Sequence, residues 1–204
     1  HNSNLPIIYH IKNALEAHGI AAELVSSPDG LKANLLARIG PDTPGGMVWS
    51  GHTDVVPVDG QAWSSDPFKA DVRGGKLYGR GACDMKGFIG VALSLAPEIA
   101  KAKLKRPIHF ALSYDEEVGC LGVPYLLSYI GKQGLKPSFA IIGEPTMMQV
   151  VTAHKGVFSF ETTVHGLEWH SSQPHCGVNA VHVACTLVHF LSDMHAQLSK
   201  DGLQ

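Results

Sequence analysis

The sequence predicts an α/β fold with a mostly parallel sheet flanked by helices. Short β-rich runs bounded by Gly, Pro, Asp or Ser alternate with longer segments of helical periodicity as far as Pro145. Of the 204 residues, 45% are apolar and 17% are charged. This apolar fraction is enough for a sizeable hydrophobic core. At about 100–200 residues per domain, the length predicts one domain and part of a second.

The first element is an amphipathic helix that begins near Ser3, a candidate N-cap, and stops at Gly19. Its apolar residues recur at helical spacing, at Leu5, Ile8, Ile11 and Leu15. Three β-rich runs follow, at residues 22–25, 34–39 and 47–49. The third run is wholly apolar and therefore predicts a buried strand.

The middle of the chain continues the alternation. Residues 57–82 are rich in Gly, Pro and Asp, and the segment Arg73-Gly74-Gly75-Lys76 predicts a hairpin turn. Beyond them the pattern predicts a helix, a strand, a helix and a strand, at residues 87–100, 108–114, 121–130 and 139–142. This order is typical of parallel strands joined by helical crossovers.

A second unit begins near residue 150, where the pattern changes. Residues 150–153 and 157–165 predict two strands joined by a tight turn, and residues 179–198 predict a helix with one apolar face. Two strands and a helix bury little apolar surface by themselves. We therefore expect domains at 1–150 and 151–204, the second being part of an α+β unit, in a chain that is truncated or dimerised.

Charge and composition exclude several classes of protein. The formal net charge is -2 without a basic stripe, which disfavours a nucleic acid or a membrane surface as partner. No apolar run reaches the ~18–20 residues of a membrane span, and the N-terminus lacks the features of a signal peptide. The four cysteines contain no C-x-x-C pair, which favours a reducing compartment. We expect a soluble cytoplasmic protein.

Metal-ligand side chains follow three of the predicted strands, at the point where each strand ends. His52 and Asp54, then Glu116 and Glu117, then Glu144 come after successive strands, and Asp84 follows a Gly-rich loop. Because ligand sites of open α/β sheets lie beyond the carboxyl ends of the strands, we expect these side chains to share one cleft. An imidazole with several carboxylates suits zinc, with cobalt or manganese as substitutes.

Each of these residues has an ordinary interpretation when it is taken alone. His52 could be a hydrogen-bonded loop histidine, Glu116 and Glu117 a solvated pair, Asp84 a helix cap and Glu144 part of a turn. Their coincidence at one sheet edge favours the metal site. Other motifs fail: Gly74-Gly75-Lys76-Leu77 is no phosphate-binding loop, and no G-x-S-x-G elbow is present.

Two further groups of reactive side chains favour no site. Cys83 and Cys176 have no positioned base, so they are interpreted as incidental thiols. His182 and His189 lie seven residues apart, off the apolar face of the last helix. That spacing favours a solvated or dimer-facing stripe rather than a metal site.

Five ordered segments are the most specific feature of the sequence. They are SGHTDVVPVDGQAWSSDPF (50–68), LYGRGACDMKG (77–87), SYDEEVGCLG (113–122), IIGEPT (141–146) and HSSQPHCGVNAV (170–181). In their order and gaps they resemble the di-zinc aminoacylase and carboxypeptidase family. The resemblance implies a zinc-peptidase-like catalytic domain over 1–150, without its C-terminal part, and part of a ferredoxin-like lid and dimerisation domain over 151–204.

The resemblance also implies how the metal ligands divide. Asp84 is expected to bridge two zinc ions, with His52 and Glu144 on one ion and Glu117 on the other. The family's remaining ligand is a late His, which has no counterpart because the chain stops at Gln204. Two zinc ions per full-length subunit are expected, and cobalt or manganese are expected to substitute.

Three more residues receive roles from the same resemblance. Asp54 is expected to orient His52 by accepting its second ring N–H, as carboxylates beside metal-bound histidines usually do. Glu116 is expected to act as the general base that deprotonates the attacking water. His170 is expected to cross to a partner subunit and stabilise the oxyanion of the tetrahedral intermediate.

The implied activity is that of a zinc-dependent amidohydrolase that deacylates an N-acyl amino acid, within a homodimer formed through 151–204. The segment AHKG after GEPTMMQVV resembles the acetylornithine deacetylases, which would give ornithine and acetate. A succinyl-diaminopimelate desuccinylase or a dipeptidase of the same family is the nearest alternative, since fold and metals do not separate these substrates. A non-catalytic metal-binding or assembly module is the alternative of another class.

Overall fold

A computed structural model describes residues 3–200, which form two compact units that divide between Val151 and Thr152. The strands are β1 (Ala22–Ser26), β2 (Ala33–Ile39), β3 (Met47–His52), β4 (Asp71–Arg73), β5 (Lys76–Tyr78), β6 (Ile108–Ser113) and β7 (Phe139–Ile142). The α-helices are α1 (Leu5–Glu16), α2 (Gly87–Lys101), α3 (Val123–Lys132) and α4 (Ala180–Lys200). Within the described residues, all seven strands and α1 to α3 belong to the first unit and α4 to the second.

The predicted α/β class is confirmed. Five strands form one sheet in the order β1-β2-β6-β3-β7, and β4 pairs with β5 in the predicted hairpin. Strands β6, β3 and β7 are mutually parallel, whereas β1 and β2 are antiparallel to their neighbours. The six residues between β1 and β2 are too few for a parallel crossover, so these two strands can only form a hairpin.

Helices cover both faces of this sheet. On one face the apolar stripe of α1, with Ile8, Ile11 and Leu15, packs with α2 against the side chains of Leu35 and Phe110. On the other face α3 packs Leu126 against Leu36 and Ala111. Every residue of β6 is buried, as expected for a central strand that is covered on both sides.

Helices α2 to α4 begin and end within two residues of the predicted bounds, and α1 differs in its capping residue. The capping position is Asn4 rather than Ser3, although the Ser3 hydroxyl accepts a hydrogen bond from the Leu5 backbone N–H at 3.1 Å. The Asn4 side chain is used elsewhere: it donates to the Ala33 carbonyl and accepts from its N–H, both at 2.9 Å. The turn after α1 ends at Gly19, whose φ of 73° favours glycine.

The two strands predicted at 150–153 and 157–165 are not formed. Residues 151–166 have no regular secondary structure. In the described part of the second unit, β-pairing is limited to one isolated bridge, between Leu167 and Val178. Phe158 and Phe160 are 85% and 64% exposed. The alternation of apolar residues needs a sheet to pack against, and without a partner ladder it does not produce a strand.

His109 makes the stability of the first unit sensitive to acid. Its side chain is 4% exposed on β6, and burial, assisted by the charge of Arg38, lowers its pKa from the ordinary 6.5 although Asp42 opposes this. The unfolded chain therefore binds the proton first, so stability is lost as the pH falls below about 6.5.

We expect His109→Gln to flatten this part of the stability profile. Urea unfolding between about pH 7.5 and 5.5 should show the wild type losing stability relative to the variant, by at most about 1.4 kcal/mol per pH unit. His18→Gln, at an exposed position of the same unit, is the matched control. A constant difference between wild type and His109→Gln across this range would contradict the prediction.

Candidate metal centre

The cluster of predicted ligands forms where the parallel strands end. His52 is the last residue of β3, and it lies opposite Ser113, the last residue of β6. Strand β7 ends at Ile142, two residues before Glu144. Parallel strands have their carboxyl ends at one edge of the sheet, so the segments that follow them meet there.

The segment after His52 is fixed by buried hydrogen bonds. The Thr53 N–H and hydroxyl both donate to the Ser113 carbonyl, at 2.9 and 3.0 Å, which ties the end of β3 to the end of β6. The Asn4 side-chain amide donates to the Thr53 hydroxyl at 3.0 Å. Because buried hydrogen-bond partners are expensive to lose, these contacts hold the backbone beside His52 in one position.

Asp84 reaches the same edge from an irregular helical turn, Ala82–Lys86, that precedes α2. Asp84 itself is extended, with φ -120° and ψ 97°, so its carboxylate leaves the path of the helix. The next residue, Met85, is fully buried, and its sulfur accepts a hydrogen bond from the His52 N–H at 3.2 Å. A Cβ at Gly51 would lie 2.9 Å from Met85 Cε, so glycine there lets the turn pack against β3.

His52 lies at the centre of the cluster and is 2% exposed. Its Nε2 lies 3.1 Å from Asp84 Oδ1 and 3.8 Å from Glu144 Oε1. On the other side of the ring, Nδ1 lies 3.2 Å from the Asp54 carbonyl and 3.5 Å from Asp54 Oδ1. One ring nitrogen thus faces two candidate ligands, and the other faces the residue expected to orient it.

Asp54 joins the ends of β3 and β6. Its two carboxylate oxygens accept hydrogen bonds from the backbone N–H groups of Glu116 and Glu117, at 3.1 and 3.0 Å. Burial raises the pKa of Asp54, but the hydrogen bonds from His52 and from these two N–H groups outweigh it and lower the pKa to about 2. Asp54 therefore remains ionised and places both glutamates beside His52.

The charges of the cluster influence one another strongly. Burial lowers the pKa of His52, but the neighbouring carboxylates of Asp54, Asp84 and Glu144 outweigh it and raise the pKa to about 9. Burial raises the pKa of Glu117 and of Glu144, and the charge of Asp84 raises both further. Carboxylates held this close together repel unless a cation lies among them.

The ligand atoms fit a divalent cation. Two groups have their ligand atoms within 4.8 Å of one another, namely His52, Asp84 and Glu144, and His52, Glu116 and Glu117. In tetrahedral zinc sites with bonds of about 2.1 Å, neighbouring ligand atoms lie about 3.4 Å apart. The distances of 3.1 and 3.8 Å from His52 Nε2 to Asp84 and Glu144 bracket that value.

Six of the seven residues predicted from the sequence therefore come together in the first unit; they are His52, Asp54, Asp84, Glu116, Glu117 and Glu144. His170 lies in the second unit, in the loop that precedes α4. On α4, His189 is 81% exposed and its Nε2 lies 3.6 Å from Asp193 Oδ2, which agrees with a solvated stripe. Cys83 and Cys176 are exposed free thiols.

Sequence reasoning missed three residues that support the cluster. Met85 anchors the turn of Asp84, as described above. Lys86 is partly buried near Asp54 and Glu117; burial lowers its pKa, and these two carboxylates oppose the shift. The Cys120 thiol donates to Glu116 Oε1 at 3.6 Å. The signal for all three was their place inside the motifs CDMKG and DEEVGC, one to four residues from a predicted site residue.

Comparison with known proteins gives a consistent result. Residues 48–199 match the model of peptidase family M20/M25/M40. The acetylornithine deacetylase of Proteus mirabilis (strain HI4320) is 38% identical over 197 residues, which are 96% of this chain and 50% of that protein. The acetylornithine deacetylase of Shigella sonnei (strain Ss046) is 43% identical over 150 residues, 74% of this chain and 38% of that protein. The chain spans about half the length, or less, of these relatives.

Solved structures agree on the fold. Human carnosine dipeptidase 1 matches with a TM-score of 0.56 and 27% identity, over 67% of this chain and 32% of that one. An M20 family metallo-carboxypeptidase from Sulfolobus solfataricus matches with a TM-score of 0.56 and 26% identity, over 66% of this chain and 31% of that one. Among residues 3–200, no helix combines the length and the apolar character needed to cross a membrane.

Proposed function

The chain belongs to peptidase family M20/M25/M40, whose model matches residues 48–199, and from this premise we propose that it is part of a metal-dependent amidohydrolase that deacetylates N2-acetylornithine. The observation that carries the proposal is the group of His52, Asp84 and Glu144, with their ligand atoms within 4.8 Å of one another at the ends of parallel strands. The named activity of relatives at 38–43% identity supports the choice of substrate.

Two cations are proposed for the complete site, and zinc is the preferred metal for both. His52 and Glu144 would hold one ion, Glu117 would hold the other, and Asp84 would bridge them. When bound, such ions polarise the amide carbonyl and make water more acidic. Zinc suits the mixture of one imidazole and several carboxylates, and cobalt or manganese would be accepted by the same ligands.

Glu116 is the proposed general base. Its backbone is held by Asp54 at 3.1 Å and its Oε1 accepts the Cys120 thiol at 3.6 Å, so its carboxylate is oriented independently of a metal. It would take a proton from the attacking water and give it to the leaving amine. Asp54 would act by position, because it orients the His52 ring and fixes the two glutamates.

His170 is the proposed oxyanion donor, acting in the site of a partner subunit in a homodimer formed through 151–204. The support is the resemblance of HSSQPHCGVNAV to the family motif. The four free cysteines also fit the proposed cytoplasmic location.

The substrate is tested by direct comparison. The zinc-loaded protein should release free amine from N2-acetylornithine with a higher kcat/KM than from N-succinyl-diaminopimelate or an unmodified dipeptide. Faster hydrolysis of either competitor would assign the chain to the corresponding relative. Zinc binding without hydrolysis of any of the three would favour the non-catalytic metal-binding module.

A shared site predicts rescue between two inactive variants. His170→Ala and Glu116→Gln should each be nearly inactive alone, but a mixed dimer combines one subunit's Glu116 with the other's His170. With equal amounts and free exchange, half of the dimers are mixed and one of their two sites is intact, so about one quarter of wild-type activity should return. Absence of rescue, with subunit exchange shown by mass spectrometry, would contradict the shared site.

A further inference from the structure

The loop that carries His170 is closed at its base. Leu167 and Val178 exchange two backbone hydrogen bonds, each 2.9 Å long, and form the bridge from which the loop projects. A Cβ at Gly177 would lie 2.8 Å from the Leu167 carbonyl oxygen, so glycine permits this approach. The loop therefore has a fixed stem.

Hydrogen bonds inside the loop order it further. The Gln173 N–H donates to the His170 carbonyl at 2.9 Å, and the Trp169 indole N–H donates to the Gln173 side-chain carbonyl at 3.1 Å. Beyond the loop, Asn179 caps α4 by accepting from the Val181 N–H at 2.9 Å. His170, Trp169 and Asn179 line a groove of about 550 Å³ within this unit.

The His170 ring is held through one nitrogen only. Its Nδ1 lies 2.8 Å from the Ser172 hydroxyl and accepts a hydrogen bond from the Ser172 backbone N–H at 3.2 Å. Within residues 3–200, Nε2 has no hydrogen-bond partner, and the side chain is exposed.

These contacts determine the tautomer. A backbone N–H can only donate, so Nδ1 must present its lone pair, and the Ser172 hydroxyl also donates to it. In a neutral imidazole one nitrogen accepts and the other carries the proton. The proton therefore resides on Nε2, which faces away from Ser172.

We propose that Ser172 is a positioning residue that fixes His170 as the Nε2–H tautomer and so presents a hydrogen-bond donor at the open side of the ring. The matching ligand is an anionic or strongly polarised oxygen atom. Use of this donor on the oxyanion of a deacylation intermediate rests on the proposed function, whereas the tautomer itself does not.

The test is a nitrogen spectrum of the whole chain. The protein is labelled with ¹⁵N-histidine, and long-range ¹H–¹⁵N correlations are recorded in mildly alkaline buffer, above the ordinary imidazole pKa of about 6.5. The His170 signals are identified by their loss in His170→Gln. His195, which is exposed on α4, is the internal reference.

We expect His170 to show a larger Nε2–H fraction than His195 in the wild type. In Ser172→Ala the donor at 2.8 Å is lost and only the longer backbone hydrogen bond at 3.2 Å remains, so the His170 fraction should move part of the way toward that of His195. Ser171→Ala, which alters the neighbouring hydroxyl, should leave the spectrum of His170 unchanged. Equal fractions for His170 and His195 in the wild type, or an unchanged His170 in Ser172→Ala, would overturn the proposal.

A kinetic measurement separates this proposal from the proposed function. If deacetylation is established, Ser172→Ala should lower kcat by about 2- to 10-fold with little change in KM, because the donor acts on charge that develops in the transition state. The spectrum needs no substrate, so a protein without deacetylase activity can still show the fixed tautomer. Conversely, if the protein is an active deacetylase and the proton of His170 is not fixed on Nε2, the role of Ser172 is wrong and the proposed function stands.

Discussion

Glu116→Gln is expected to lower kcat for N2-acetylornithine by about 100- to 10,000-fold while zinc content stays at the wild-type level. The amide has nearly the same shape as the carboxylate, and its backbone N–H can still donate to Asp54. What it loses is basicity, so proton transfer from water to the leaving amine fails. Steady-state kinetics and metal analysis on the same preparation measure both quantities.

Glu117→Gln is the matched control for this prediction. Glu117 lies next to Glu116, and its backbone N–H donates to the other oxygen of the same Asp54 carboxylate, at 3.0 Å. As a proposed ligand, Glu117 should lose zinc affinity together with activity, and raised zinc concentration should restore part of the activity. If Glu116→Gln loses zinc instead, Glu116 is a ligand and the base must be sought elsewhere.

The location of the site could be predicted because it follows from topology. A run of β-prone residues before His52, before Glu116 and before Glu144 indicated three strands, and parallel strands bring such endings to one edge. The order β6-β3-β7 then places the strand of His52 between the other two. Strand direction therefore determined where the ligands meet, without knowledge of any side-chain contact.

The support of the site was harder to predict because it depends on packing. Asp84 before a helix has the pattern of a cap, yet its φ of -120° and ψ of 97° take it out of helical geometry. The reason is Met85, whose fully buried side chain packs against β3 and whose sulfur accepts a hydrogen bond from the His52 N–H. No local propensity encodes that contact, since it joins residues 33 positions apart.

The second unit shows the opposite failure, in which a clear local pattern did not produce the predicted element. Val157, Phe158 and Phe160 have the side chains of a half-buried strand, but they are 92%, 85% and 64% exposed. β-propensity mainly reflects packing against a sheet face, and the described residues of this unit provide no such face. Helix α4 forms nevertheless, because its hydrogen bonds are local.

Asp84→Ala is expected to abolish tight zinc binding. His52 Nε2 faces Asp84 and Glu144, whereas Nδ1 is directed at Asp54. The imidazole can therefore serve one ion, and we expect one tightly bound zinc per chain, held by His52, Asp84 and Glu144. Removing the carboxylate 3.1 Å from Nε2 leaves one imidazole and one carboxylate, a weak pair for zinc.

The loss of affinity in Asp84→Ala should be at least about 100-fold, since even residues that only support metal ligands contribute about 10- to 100-fold. Zinc titration by calorimetry measures it, and Asp59→Ala, which removes an exposed carboxylate of the same unit, is the control. Circular dichroism should show that both variants remain folded. Because a bridging carboxylate belongs to both coordination spheres, a second, weaker ion should be lost together with the first. Wild-type zinc content in Asp84→Ala would contradict both the bridging role and the assignment of the tight site.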